Sequence, residues 1–175
     1  MSKLWRIAQA TIAGAIALLV TTTLSTAQDA NWPLKPTPKP HIIAKEHRLI
    51  LQVNTNDPAA MNLALNNAVN VTQYYKEIGE NVKIEVVTFG PGLNMLRDDT
   101  SPVKARIETL AMSTPEISYK ACGNTRENMH KAENKDIPII PQAEVVKSGV
   151  IHIMQLEEQG WTYVKPWRRN VSFEE

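Results

Sequence analysis

The chain predicts an α/β domain, a three-layer α/β/α arrangement around a mostly parallel sheet of about five strands. Three observations carry this. Short apolar runs alternate with longer segments of helical period, in the order β-α-β-α-β-α-β-α-β. Each helical segment opens on a cap-type or proline residue. The composition, 43% hydrophobic and 21% charged over 175 residues, is that of one globular domain. Only seven glycines and two phenylalanines argue against a many-turned all-β fold.

Arg48-Leu49-Ile50-Leu51-Gln52-Val53 is a short apolar run and reads as a buried strand. Asp57 is a good N-cap and Pro58 suits the first helical position. Met61, Ala64, Leu65, Ala68, Val71, Tyr75 and Ile78 then recur at helical spacing, and Gly79 ends the helix. Lys83–Phe89 is the second strand, closed by Gly90-Pro91-Gly92. A short helical turn, Leu93–Arg97, precedes a second cap-and-proline start at Ser101-Pro102, with Val103, Ile107, Leu110 and Ala111 on one helix face.

A third strand runs from Glu116 to Ala121 and ends at Cys122. Asn124 is positioned to cap the next helix, with Glu127 at the capping-box position; that helix, to about Lys135, has few apolar residues and should be solvated. Glu144–Lys147 is a fourth strand. Ser148 caps a fourth helix carrying Val150, Ile153, Met154 and Leu156, and Trp161–Lys165 is the last strand. The order implies helices on both faces of the sheet.

The ends are of another character. Residues 1–27 have the form of a secretory signal peptide: Lys3 and Arg6 at the start, an apolar stretch Ile7–Val20, and Ser25 and Ala27 ahead of a cut before Gln28. The rival reading, a permanent anchor, needs a longer apolar run, ~20 residues. The expected location is periplasmic or secreted, with membrane contact only through the signal peptide before cleavage. Residues 28–46 hold Pro33, Pro36, Pro38 and Pro40, which favour extended polyproline II. They read as a spacer, or as an arm packing on a neighbouring subunit through Trp32. The domain is expected over 47–167 and a tail over 168–175.

The formal charge is +1, and without Lys3 and Arg6 the chain has 17 basic against 18 acidic residues. No nucleic-acid partner is expected. One cysteine excludes an internal disulfide, and the four histidines share no i, i+4 spacing, so no metal and no cofactor are expected. Gly90-Pro91-Gly92 lacks the spacing of a dinucleotide fingerprint and the lysine-serine pair of a P-loop.

Ligands of such sheets bind outside the carboxyl ends of the strands. Three loops there carry Asn54 and Asn56, Gly90 and Gly92, and Cys122, Gly123 and Asn124; these are the candidate site residues. Cys122 is the chemical one. A helix N-terminus stabilises a thiolate, and a lowered pKa makes the nucleophile available. The competing reading is a small buried hydrophobe. With a helix N-terminus alone, a partly exposed thiol roughly half a unit to one unit below ~8.5 is expected. No histidine base is evident: His130 lies down the following helix, His152 could approach the rim, and His41 and His47 lie near the arm. Asn62, Asn66 and Asn70, with Asn67 beside them, form an amide stripe that is either surface, subunit contact or polar pocket.

HRLILQV at 47–53, NDPAAMNLALNNAVN at 56–70, FGPGLNMLRDDTSPVKARI at 89–107, ACGNT at 121–125 and QGWTYVKP at 159–166 resemble the DsrE/DsrF-like family of sulfur-relay proteins, in its exported branch. The resemblance implies a three-layer fold, a homo-oligomer (trimer or hexamer), and a cysteine after the third strand, here Cys122, that carries sulfur as a persulfide. It thus implies a sulfur carrier with a donor or acceptor protein, more than a turnover enzyme. The alternative is a non-catalytic small-ligand-binding or assembly module with a structural cysteine. This chain departs from the family in its export signal, and in having Asn124-Thr125-Arg126-Glu127-Asn128 where relay members often carry an arginine-glycine pair.

Overall fold

The computed structural model of the chain describes residues 45–166. The signal-peptide reading, nearly all of the proline-rich arm and the C-terminal tail fall outside the described residues. Five strands, β1 (Glu46–Val53), β2 (Asn81–Thr88), β3 (Ile117–Cys122), β4 (Ala143–Val146) and β5 (Thr162–Val164), form one sheet in the order β4-β3-β2-β1-β5. Every strand pair is parallel, so the sheet is wholly rather than mostly parallel. The longest register joins β1 to β2 over its whole length, from Glu46 against Asn81 to Val53 against Thr88.

The chain steps in one direction from β1 to β4, through α1 (Pro58–Glu77), a 3-10 helix (Gly90–Leu96) with α2 (Lys104–Ser113), and α3 (Gly123–Glu133). It then returns across the sheet to β5 through α4 (Gly149–Glu158). Right-handed crossovers put a helix on the opposite face when the direction of travel reverses. The packing agrees. Leu51, Val53, Ile84, Val86, Ile117 and Tyr119 point from the sheet into one core with Met61, Leu65, Leu93, Leu96 and Ile107. On the other face, Ile50 and Val87 meet Ile153 and Leu156 of α4, edged by Phe89, Trp161 and Tyr163. Full burial of each such side chain is worth about 1.5–3 kcal/mol. Most of the folding energy therefore resides on the first face.

Local expectations hold where side-chain chemistry is local. Asp57 caps α1 by accepting from the Ala59 N–H at 2.9 Å, and Pro58 opens the helix. Side chains alternate along β3: Ile117 and Tyr119 are buried, Ser118 and Lys120 half-buried. Three boundaries differ. Gly90-Pro91-Gly92 is the start of the 3-10 helix rather than a turn before one. The second helix starts at Lys104, although the Ser101 hydroxyl, which donates to the Met95 carbonyl at 2.5 Å, also accepts from the Val103 N–H at 3.3 Å. The last strand keeps only the three residues that pair with Leu49–Leu51.

Two members of the asparagine stripe, Asn62 and Asn66, have a partner on α2. Arg106 donates to Asn62 Oδ1 at 2.7 Å and also to Asn66 Oδ1, tying α1 to α2. Asn66 and Asn70 are otherwise exposed. No helix among the described residues is long and apolar enough to cross a membrane.

Candidate functional site

Reversal of direction at β4 has a chemical consequence. β3 feeds α3 on the first face, while its neighbour β4 feeds α4 on the second. The two helix N-termini therefore part to opposite sides beside the carboxyl ends of β3 and β4. Such a switch point leaves a crevice where parallel sheets bind ligands. Cys122 is the last residue of β3 and the N-cap of α3, and Gly149 is the first residue of α4.

The sulfur lies on the α4 side. A β-carbon placed on Gly149 would come within 3.3 Å of Cys122 Cβ and 3.0 Å of Phe89 Cδ1, so α4 begins in tight contact with the cysteine. The Asn124 N–H donates to the Lys147 carbonyl at 3.2 Å and pins the start of α3 to the end of β4. No side-chain oxygen caps α3. Burial raises its pKa, but the Thr125 hydroxyl, then the N–H groups of Gly149, Thr125 and Asn124, lower it, and the net position is below the ordinary thiol value. Several weak donors together outweigh the desolvation.

Two sequence expectations about this site are corrected. Cys122 is buried, 4% exposed, rather than partly exposed, because Gly149 and Phe89 close over it. Asn124 is not the cap of α3: the helix begins two residues earlier, so Asn124 is exposed in the first turn and Glu127 pairs with Lys131 at 2.6 Å instead of reaching back.

The remaining candidates separate into three places. Asn56 and Gly90 line a cleft of about 510 Å3 between the 3-10 helix and α3, together with Pro91, Asn94, Arg97, Thr125 and Glu133. Asn94 donates to Asn56 Oδ1 at 2.7 Å across its mouth. Asn54 is half-buried at the end of β1. Gly92 is buried against backbone: a β-carbon there would lie 2.3 Å from the Val53 carbonyl oxygen. Gly123 borders a smaller hollow with Arg126, His130 and Val145 on the far side of α3.

The histidines are occupied elsewhere. His152 Nε2 is 2.6 Å from Glu85 Oε2, beneath α4, and His130 Nδ1 is 2.8 Å from the Lys135 carbonyl. His47 pairs with Glu80 and stacks on Tyr75. His41 lies outside the described residues. Among the described residues, no group of three or more His, Cys, Asp or Glu side chains could hold a metal ion.

Sequence reading missed Thr125, Gly149 and Arg97. Thr125 sits three residues after the cysteine, on the same face of the first helical turn, a signal that was available. Gly149 was not legible without the strand order. Arg97, 5% exposed, grips Asp99 through Nε and Nη2 at 2.9 and 2.8 Å, and also holds Glu133, closing one end of the cleft. Hydrogen bonds from Arg97 hold both carboxyls below the usual range.

No protein-family model and no curated protein matches the chain. A solved structure of a protein of unknown function, MTH1491 from Methanobacterium thermoautotrophicum, is similar at 29% identity with a TM-score of 0.54. The match covers 69% of this chain and 99% of that one.

Proposed function

We propose that this chain is an exported thiol-based sulfur carrier of DsrE/DsrF-like type, with Cys122 as the carrying residue and no cofactor. One observation supports it above the others. Cys122 lies where two helices diverge, at the N-cap of α3 and in close approach to Gly149 at the start of α4, and its thiol pKa is lowered.

In the reaction, Cys122 loses its proton to solvent and the thiolate attacks the outer sulfur of a hydropolysulfide or low-molecular-weight persulfide. A new S–S bond forms at Cys122. The donor's S–S bond breaks, and its electron pair leaves on the donor thiolate. The sulfane sulfur moves without net oxidation. The amides that stabilise the thiolate can stabilise the product persulfide anion in the same way.

Burial of Cys122 favours the second reading, a binding or assembly module in which the cysteine only packs. Incubation with polysulfide decides between them. The wild type is expected to gain one sulfur atom of mass, reversible by thiol reductant, and Cys122→Ser none. No gain in the wild type, or equal gain in the serine variant, overturns the carrier reading.

Export and homo-oligomerisation belong to the same proposal. The Lys3/Arg6 start and the Ser25/Ala27 pair support the first. Val150, Ile151 and Met154, exposed along α4, support the second. The native protein should begin at Gln28 and sediment as a trimer or larger. Recovery of Met1 from membranes, or a monomer at micromolar concentration, counts against it.

A further inference from the structure

We infer that the first turn of α4 is a lid over Cys122, and that the His152–Glu85 pair is the latch that holds it down on the sheet. The lid governs any reagent of this thiol and so stands apart from the carrier reading; where that reading holds, it gives the route by which a sulfur donor enters.

Cys122 is 4% exposed, so a reagent in solution reaches it only when part of its cover moves. Within the sheet, β3 is flanked by β2 and β4, with Val146 in register beside the cysteine, and those backbone ladders are costly to open. The start of α4 is lighter. A β-carbon on Gly149 would lie 3.3 Å from Cys122 Cβ, so this turn rests directly on the cysteine. Only Gly149, Ile153 and Leu156 of the helix are buried, while Val150, Ile151 and Met154 face outward. The N-cap Ser148 makes no side-chain hydrogen bond to the helix, unlike Asp57 at the start of α1. A helix end without a cap frays at low cost.

One polar contact opposes that fraying. His152 follows Gly149 by three residues and lies on the same helix face. Its Nε2 donates to Glu85 Oε2 on β2 at 2.6 Å, the carboxylate being able only to accept. Among the described residues this is the only side-chain hydrogen bond from α4 to the sheet. Both side chains are half-buried, 21% and 15% exposed. The next turn is anchored differently, by Ile153 and Leu156 on Ile50 and Val87. The apolar anchor thus keeps α4 seated, and the polar latch sits between that anchor and the turn over Cys122. Losing one hydrogen bond costs far less than unfolding the domain, so the first turn can lift while the fold persists.

Alkylation of Cys122 by iodoacetamide is followed against pH in the full chain, for wild type, Glu85→Gln, His152→Ala and the double variant. Each single variant should react about five- to tenfold faster at every pH, with the titration midpoint unmoved. The double variant should stay within about twofold of the faster single, because both remove the same contact. Leu65→Ala, which weakens the first face, should stay within about twofold of wild type. If His152→Ala does not fold, His152→Gln is read in its place. Unchanged rates in the single variants, or rates that multiply in the double, overturn the latch. A shifted midpoint does so too, since the pair would then act on the sulfur's charge and not on its cover. Equal acceleration by Leu65→Ala overturns the lid, because access would then pass through unfolding of the whole domain. Variants that alkylate faster yet gain no sulfur from polysulfide overturn the carrier reading and leave the lid standing.

Discussion

The two faces of the sheet are built on different terms. The first is sealed by α1, the 3-10 helix, α2 and α3 over a continuous core; the second carries α4 alone over a cluster of four buried side chains. On the first face, β2 contributes Val82, Ile84, Val86 and Thr88, all buried. On the second it contributes Asn81, Lys83, Glu85 and Val87, of which only Val87 is buried. Polar pairs occupy the rest of this face, Glu85 with His152 of α4 and Lys120 with Glu144. Cys122 belongs to this second face. One face holds the fold and the other holds a polarised sulfur under light cover, and binding sites are commonly found where packing is thinner.

A pair of glycines gives the largest test of this difference. Gly92 lies in the first turn of the 3-10 helix on one face, and Gly149 opens α4 on the other. At Gly92 a β-carbon would strike the Val53 backbone at 2.3 Å, which cannot yield; at Gly149 it would meet the Phe89 ring at 3.0 Å, which can turn aside. Gly92→Ala should lose about 4 kcal/mol or more, or fail to fold. Gly149→Ala should lose about 1 kcal/mol while altering the alkylation rate of Cys122. Urea unfolding with equal losses at the two positions breaks the comparison.

Truncation of leucines is the next test. Leu65 is fully buried on the first face and Leu156 is 7% exposed on the second. Leu65→Ala should lose about 3–4 kcal/mol and Leu156→Ala about 2, because the thinner layer relaxes into the space. Urea midpoints in the reverse order would show that α4 contributes more than its cover suggests.

The smallest effect is a pH dependence on the first face. Asp99 and Glu133 are held below the ordinary carboxyl range chiefly by hydrogen bonds from Arg97. A carboxyl with a depressed folded pKa stabilises the fold above its unfolded pKa, ~3.9 for Asp and ~4.3 for Glu, and that contribution fades as pH falls through the folded value. Arg97→Gln should therefore be less stable than wild type near pH ~6, with the gap narrowing below pH ~4. A gap constant with pH would mean that the loss is one of packing alone.

Much of the fold was legible because its signals are local. The cap at Asp57, the helical period from Met61 to Tyr75 and the alternation of Ile117 to Lys120 each depend on neighbours within a turn or a pleat. The cap expected at Asn124 failed for a reason outside that range. The end of β4 draws the Asn124 N–H to the Lys147 carbonyl, and α3 starts two residues early, capped at Cys122. Half-burial of Asn62 likewise depends on Arg106, which is 44 residues away.

By itself the sequence determined the α/β class, the helix-strand order and the position of the thiol at a strand end before a helix. These follow from short-range periodicity and from Cys122 being the single cysteine. Tertiary structure alone decided the strand order β4-β3-β2-β1-β5. That order sends α3 and α4 to opposite faces, brings the start of α4 at Gly149 against Cys122, and buries the cysteine. The physical reason is the crossover. Its handedness is general to L-amino-acid chains, but its direction is fixed only when distant strands compete to pair.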